Sequence, residues 1–263
     1  MDEIRAESWA HLQELLFADS WHETLKRHRS DYVFRGEATG NTNLVTSLQR
    51  LGGDYGDIER HLLRNFRKYA RRDVVHADEL WHWMALAKHH GLATRMLDWT
   101  YSPYVALHFA TAHAIEFDQD GLIWMVNFVE TNKELPKKLR AALDDEGMNA
   151  MSADLLTAVA PRLSDFDRLG ENFVVFLEPP ALDERIVNQY ALFSVMPSPH
   201  ARMDEWLEER PGLARRIVLS AELKWEVRDK LDQANITERV LFPGLDGLAT
   251  WLKRYFSPRL PGG

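Results

Sequence analysis

Between Lys88 and Ala114 the chain reads KHHGLATRMLDWTYSPYVALHFATAHA, which sets His89 and His90 close to Thr94, Arg95, Asp98, Thr100 and Ser102. The hydroxyls of Thr94, Thr100 and Ser102 suit a ribose or an amide, and the imidazoles can stack on or hydrogen-bond a base. Arg35 stands beside Gly36 in the earlier run DYVFRG. A guanidinium is a planar fork that binds phosphate bidentately, and a neighbouring glycine lets backbone approach a ligand closely. Each of these residues also has a plain structural reading. Arg35 can pair with Glu37 or Asp98, Arg95 can brace Asp98, Ser102 can be only a helix cap, and Trp99 and Tyr101 can be core. His89 and His90 have no third ligand at suggestive spacing, so no metal site is expected.

Other chemistries lack their signatures. There is no cysteine, which excludes disulfides, thiolate nucleophiles and cysteine-ligated metals. No Walker loop, glycine-rich dinucleotide fingerprint or Gly-x-Ser-x-Gly elbow occurs, so kinase, Rossmann and serine-hydrolase readings have no support.

The elements that must position these residues follow from periodicity. Residues 31–36 alternate and read as a strand ending at Arg35. Residues 57–72 form a helix with an apolar stripe of Ile58, Leu62, Leu63, Phe66, Tyr69 and Ala70. Its other faces carry Arg60, Arg64, Arg67, Lys68, Arg71 and Arg72, either a solvated basic face or an anion-binding flank. Residues 78–89 form a second helix, capped by Gly91. A polar loop then leads to a helix that begins abruptly, with Ser102 as its cap and Pro103 in its first turn. Strands are expected at 121–129, 172–177, 192–195 and 214–220, and helices at 204–209, 223–234 and towards residue 256. Residues 1–29 read as a helical lead-in, 135–165 as a weakly patterned helical insertion, and 257–263 as a tail. Strands and helices mix without regular βαβ repetition, so the expected class is α+β with a split, mostly antiparallel sheet and flanking helices.

The 263 residues are 45% hydrophobic, enough for one sizeable domain. A net charge of −8 argues against a general polyanion binder, although local basic patches remain. No apolar run approaches the roughly 18 to 20 residues of a membrane span, and the acidic, amphipathic start MDEIRAESWAHLQELLF is unlike a signal peptide. A cytoplasmic protein with no membrane partner is expected.

Three stretches together resemble the FRG domain family: Phe34-Arg35-Gly36, the run HHGLATRMLDWTYSPYVALHFA, and Arg185 to Gln189 followed by Phe193. The ending VLFPGLDGLATWL is similar to the family's usual ending, so the resemblance spans about residues 20 to 256. Met96 stands where leucine is common, and Ala191 where glycine is frequent. The order of parts also resembles the arginine–serine–glutamate branch of the ADP-ribosyltransferase superfamily. That second resemblance implies an ADP-ribosyltransferase-like core with NAD as the substrate.

By the same resemblance, Arg35 and Gly36 end the first strand, where the NAD phosphates and ribose would lie. Thr100 and Ser102 precede the Val105-Ala106, Phe109-Ala110 helix, and Gln189 falls where the branch has a glutamate. His90, Thr94 and Arg95 complete the implied NAD-binding set. Glutamine can hydrogen-bond a ribose hydroxyl but brings no charge to a positive transition state. An active enzyme therefore needs another carboxylate, from Glu37, Asp98 or Glu184. The implied function is transfer of ADP-ribose to a nucleic acid or protein acceptor, as in a bacterial toxin or phage-defence effector. The alternative is a non-catalytic nucleotide- or nucleic-acid-binding module.

Overall fold

A computed structural model describes residues 1–41, 43–70, 78–181 and 183–259. Its strands are β1 (Asp2–Ala6), β2 (Trp21–His22), β3 (Arg27–His28), β4 (Tyr32–Glu37), β5 (Leu97–Thr100), β6 (Gly121–Asn127), β7 (Met151–Ser152), β8 (Val175–Glu178), β9 (Ala191–Val195) and β10 (Ala214–Leu219). The helices are α1 (Trp9–Phe17), α2 (Tyr55–Ala70), α3 (Leu80–His89), α4 (Pro103–Ala110), α5 (Phe128–Thr131), α6 (Lys137–Glu146), α7 (Ala153–Val159), α8 (Leu163–Asp167), α9 (Glu184–Asn188), α10 (Met203–Glu208), α11 (Ala221–Gln233), α12 (Glu238–Leu241) and α13 (Leu245–Tyr255). The class is α+β, with helices flanking a large, mostly antiparallel sheet.

That sheet has eight strands in the order β1-β10-β6-β4-β5-β9-β8-β7. Only its two outermost pairings, β1 with β10 and β7 with β8, are parallel. β4 pairs with β6 along its whole length, from Tyr32 opposite Asn127 to Glu37 opposite Leu122. With β5 it shares a single register pair, Phe34 with Thr100. The sheet is therefore two four-stranded halves joined at one point, and β4 and β5 part on the Arg35 side of it.

Local signals explain the elements around this junction. Ser102 accepts a hydrogen bond from the Val105 amide at 3.4 Å, and Pro103 opens α4 where a missing N–H costs nothing. A Cβ on Gly36 would lie 1.9 Å from the Ala106 carbonyl oxygen, so glycine is what lets α4 pack directly on β4. Gly91 takes φ +82°, and the amide of the following Leu92 returns to the Ala87 carbonyl at 2.9 Å, closing α3.

Several elements depart from the sequence reading. The helical lead-in begins instead with β1, whose DEIRA pattern completes the sheet edge beside β10. After α1, Asp19 and Lys26 adopt positive φ, and β2 and β3 pair as a ribbon in place of a second helix. The polar loop before α4 contains β5, because Leu97 and Trp99 are buried against β9.

Helix α2 presents Glu59 and Leu63 inward, while Ile58 and Tyr69 of the expected stripe are exposed. A buried ion pair between Glu59 and Arg95 sets that face. Arg71 and Arg72 lie outside the described residues. The 135–165 segment packs closely. Leu139, Leu143, Leu156 and Leu163 share one core with Trp81, Met96, Phe193 and Val195.

Candidate functional site

A cavity of about 610 Å³ opens where β4 and β5 part, within the usual range for small-molecule sites. β4 contributes Arg35 and Gly36, β5 contributes Asp98 and Thr100, and the end of α3 contributes Lys88, His89 and His90. Arg185 and Gln189 close it from α9 and the residue after.

Arg35 bridges the split. Its Nη1 donates to the main-chain carbonyl of Asp98 at 2.9 Å, on a part of β5 that the β4 ladder does not reach. Its Nε donates to Glu37 Oε1 at 2.6 Å, as expected of side chains two apart on one strand face. The Asp98 carboxylate lies 4.0 Å from Arg35 and 2.6 Å from Lys88 Nζ. Arg35 Nη2 has no partner among the described residues.

Thr100 is buried. Its hydroxyl donates to the Gln189 carbonyl at 2.7 Å and accepts from the Ser102 amide at 3.0 Å. The Gln189 side chain donates from Nε2 to the Leu241 carbonyl at 3.0 Å, and Asn188 Nδ2 reaches the Val240 carbonyl at 2.8 Å. Two amides thus tie α9 to α12. Arg254 in turn binds Glu238 of α12 and Asp232 of α11 at 2.6 to 2.8 Å. The C-terminal helices therefore hold Gln189 in place.

Lys88, Asp183 and Arg185, which have no role assigned from the sequence, also belong here. His89 Nε2 hydrogen-bonds Asp183, the cap of α9. Burial lowers the His89 pKa, and Asp183 only partly opposes it. Burial pushes the Asp183 carboxyl up, but the Ile186 amide and His89 outweigh this and leave it below its ordinary value. With an acceptor-only carboxylate at Nε2, the neutral imidazole carries its proton there and Nδ1 keeps a lone pair.

Arg185 stands over the Phe242 ring at 4.9 Å, and its Nε is buried with no hydrogen-bond partner. Lys88 is almost fully buried along its stem while its Nζ holds Asp98. Partners 94 residues apart, as for His89 and Asp183, leave no mark in local spacing. Of Lys88, Asp183 and Arg185, only Arg185 is marked in the sequence, as the start of the run that ends at Gln189.

The remaining sequence candidates lie elsewhere. Thr94 is buried and fixed to the Ser47 segment, its amide donating to Ser47 Oγ at 3.1 Å. Arg95 does not brace Asp98. It is buried against Glu59 (2.7 Å), Asp167 (2.6 Å) and the Pro197 carbonyl (2.5 Å). Ser102 caps α4. Tyr101 Oη donates to Glu178 at 2.8 Å, away from the cavity lining, and burial, then Glu178, pushes its phenol pKa up. Trp99 contributes to the lining while its Nε1 donates to Ser194 at 2.8 Å. Of the three candidate carboxylates, Asp98 lines the cavity; Glu37 and Glu184 are not in its lining.

The FRG domain family matches residues 30–119. The chain carries an FRG domain. The matched region spans β4, α2, α3, β5 and α4, and so includes both sides of the split and the Arg35 bridge. Arg185 and Gln189 come from beyond the match and complete the cavity of the FRG domain from its far side. No curated protein and no solved structure matches the chain. No described helix is long and apolar enough to cross a membrane.

Proposed function

We propose that the cleft binds NAD and that the protein transfers ADP-ribose to a macromolecular acceptor. The observation that carries this reading is the cavity at the split of an antiparallel sheet, with Arg35, Thr100 and Gln189 brought to it from three separate elements. That arrangement supports an ADP-ribosyltransferase-like core. The free Nη2 of Arg35 and the unsatisfied Nε of Arg185 offer donors to a diphosphate. His89 and His90 offer imidazole faces to a planar ring.

In the reaction the bond between nicotinamide and ribose breaks, and nicotinamide leaves with the electron pair. The acceptor atom bonds to the ribose carbon and loses a proton. Asp98, which lines the cavity from β5, supplies the charge that Gln189 lacks where the branch has its glutamate. It stabilises developing positive charge, and Lys88 and the Arg35 bridge fix its place. The lone pair of His89 Nδ1 takes the acceptor's proton.

Incubation with adenine-labelled NAD, nucleic acid and protein acceptors tests this reading. Label transfer with nicotinamide release is expected. Absence of both in every fraction overturns it. One observation favours a second reading, a binding module without turnover: Gln189 carries no charge and its amide is already engaged by Leu241. Calorimetric binding of NAD or ADP-ribose without nicotinamide release would select that reading.

A further inference from the structure

A second groove, of about 360 Å³, lies between α2, the start of α3 and the start of α8. Arg60, Arg64 and Arg67 of α2 line it together with Arg162, over an apolar floor of Leu63, Leu80 and Leu163. At positions i, i+4 and i+7 the three α2 arginines share one helix face and span about 10 Å.

Two of the four guanidiniums have neighbouring acids. Arg67 donates to Asp78 at 2.6 Å, and Arg60 lies 4.0 Å from Asp167, whose other oxygen is held by Arg95 at 2.6 Å. Arg64 and Arg162 are exposed and have no carboxylate partner among the described residues. On a chain of net charge −8, this unbalanced cluster is a local site for a polyanion.

We propose that this groove holds the phosphodiester backbone of a single-stranded nucleic acid, which is the acceptor for the chemistry of the cleft. The row of arginines exceeds the size of one phosphate, which favours an extended polyanion over a single ion. All four cations are guanidiniums, which pair with phosphate oxygens and stack on bases in a way that ammonium groups do not. The apolar floor suits sugar and base faces better than a chain of carboxylates. The groove and the cleft lie at opposite ends of α3. Leu80 at the start of α3 lines the groove, and Lys88, His89 and His90 at its end line the cleft. The ten residues of α3 separate the two by about 15 Å. The acceptor role rests on the transferase reading, whereas the docking does not.

Fluorescence anisotropy with single-stranded RNA and DNA of about twelve nucleotides, without NAD, tests the docking across a salt series. Binding should weaken with salt along a log–log slope of about −3, from four phosphate contacts at about 0.7 each. Arg64→Glu with Arg162→Glu should weaken binding at least tenfold, and the milder Arg64→Gln with Arg162→Gln should flatten the slope by about 1.4. Arg35→Ala should leave strand binding in place.

No binding at low salt, binding indifferent to both double variants, or equal capture of a polyglutamate peptide of matched charge overturns the docking. Competition by inorganic phosphate at concentrations that leave ionic strength unchanged reassigns the groove to a single ion and also overturns it. If the strand docks, NAD label should pass to it in the wild type and fail to pass in the double variants, which still bind NAD. Label reaching protein but never the docked strand overturns the acceptor role. Absence of all nicotinamide release overturns the transferase reading and with it the acceptor role, but leaves the docking intact.

Discussion

Arg35 Nη1 donates to the main-chain carbonyl of Asp98 at 2.9 Å across the gap between β4 and β5. One side chain thus does what a strand ladder does elsewhere in the sheet, and it does so at the rim of the cavity. Arg35 is therefore both a ligand candidate and a tie between the two sheet halves. Arg35→Ala should abolish NAD binding in calorimetry. It should also lower stability by about 1.5 to 3 kcal/mol, the cost of losing a charged hydrogen bond. Arg35→Lys should recover part of the stability and little of the binding, because a point charge cannot bridge Glu37, Asp98 and a phosphate together.

Asp98 is set apart from Glu37 and Glu184 by its place in the cavity lining. Asp98→Asn keeps the side-chain shape and removes its charge. Turnover at saturating NAD should fall on the order of a hundredfold, while Glu184→Gln should leave it unchanged. Glu37→Gln should mainly loosen Arg35 and raise KM. Steady-state assays of nicotinamide release on the three variants separate these outcomes.

Gln189 donates its amide hydrogen to Leu241. Substitution Gln189→Glu removes that donor and sets a carboxylate against a carbonyl oxygen. It should cost about 1 to 3 kcal/mol, read by denaturant unfolding, rather than create a better transferase.

Gly36 and Gly40 make a control pair. Gly36→Ala would drive a Cβ into the Ala106 carbonyl, whereas at Gly40 the nearest atom, the Asp120 carbonyl oxygen, is 3.8 Å away. Overpacking against backbone at Gly36 should cost about 3 kcal/mol or more. Gly40→Ala should change the melting temperature little.

Stability should decline on the acid side in two stages. Burial, reinforced by Arg228, lowers the His108 pKa to about 3. An imidazole held below its free value of about 6.5 favours the neutral form. Its contribution is whole above that value and is lost as pH falls towards 3. Burial pushes Glu238 up, but Arg254 outweighs it and holds the pKa at about 2. That contribution is present above the ordinary carboxylate value and is lost as pH falls towards 2. His108 Nδ1 accepts from Arg228 Nη1 at 2.9 Å, so His108→Leu should be less stable at pH 7. It should also show a flatter pH dependence between about 6.5 and 4.5. Urea unfolding at several pH values checks both statements.

The sequence by itself determined the features whose causes lie within a few residues. The alternation before Arg35 makes β4, Ser102 and Pro103 start α4, and Gly91 ends α3. The mixture of these elements also pointed to the α+β class. Tertiary structure decided which side chains meet. Arg95 and Asp98 are three residues apart yet serve different networks, because Leu97 and Trp99 turn into the core and place Asp98 on the rim. Meanwhile Glu59, from another helix, captures Arg95 in the interior. His89 meets Asp183 because β5 and β9 pair and bring the segments before them together, and Gln189 meets Leu241 because α12 packs on α9. Local propensity acts over a turn or a strand, whereas a buried charge must find its partner wherever the packed chain supplies one.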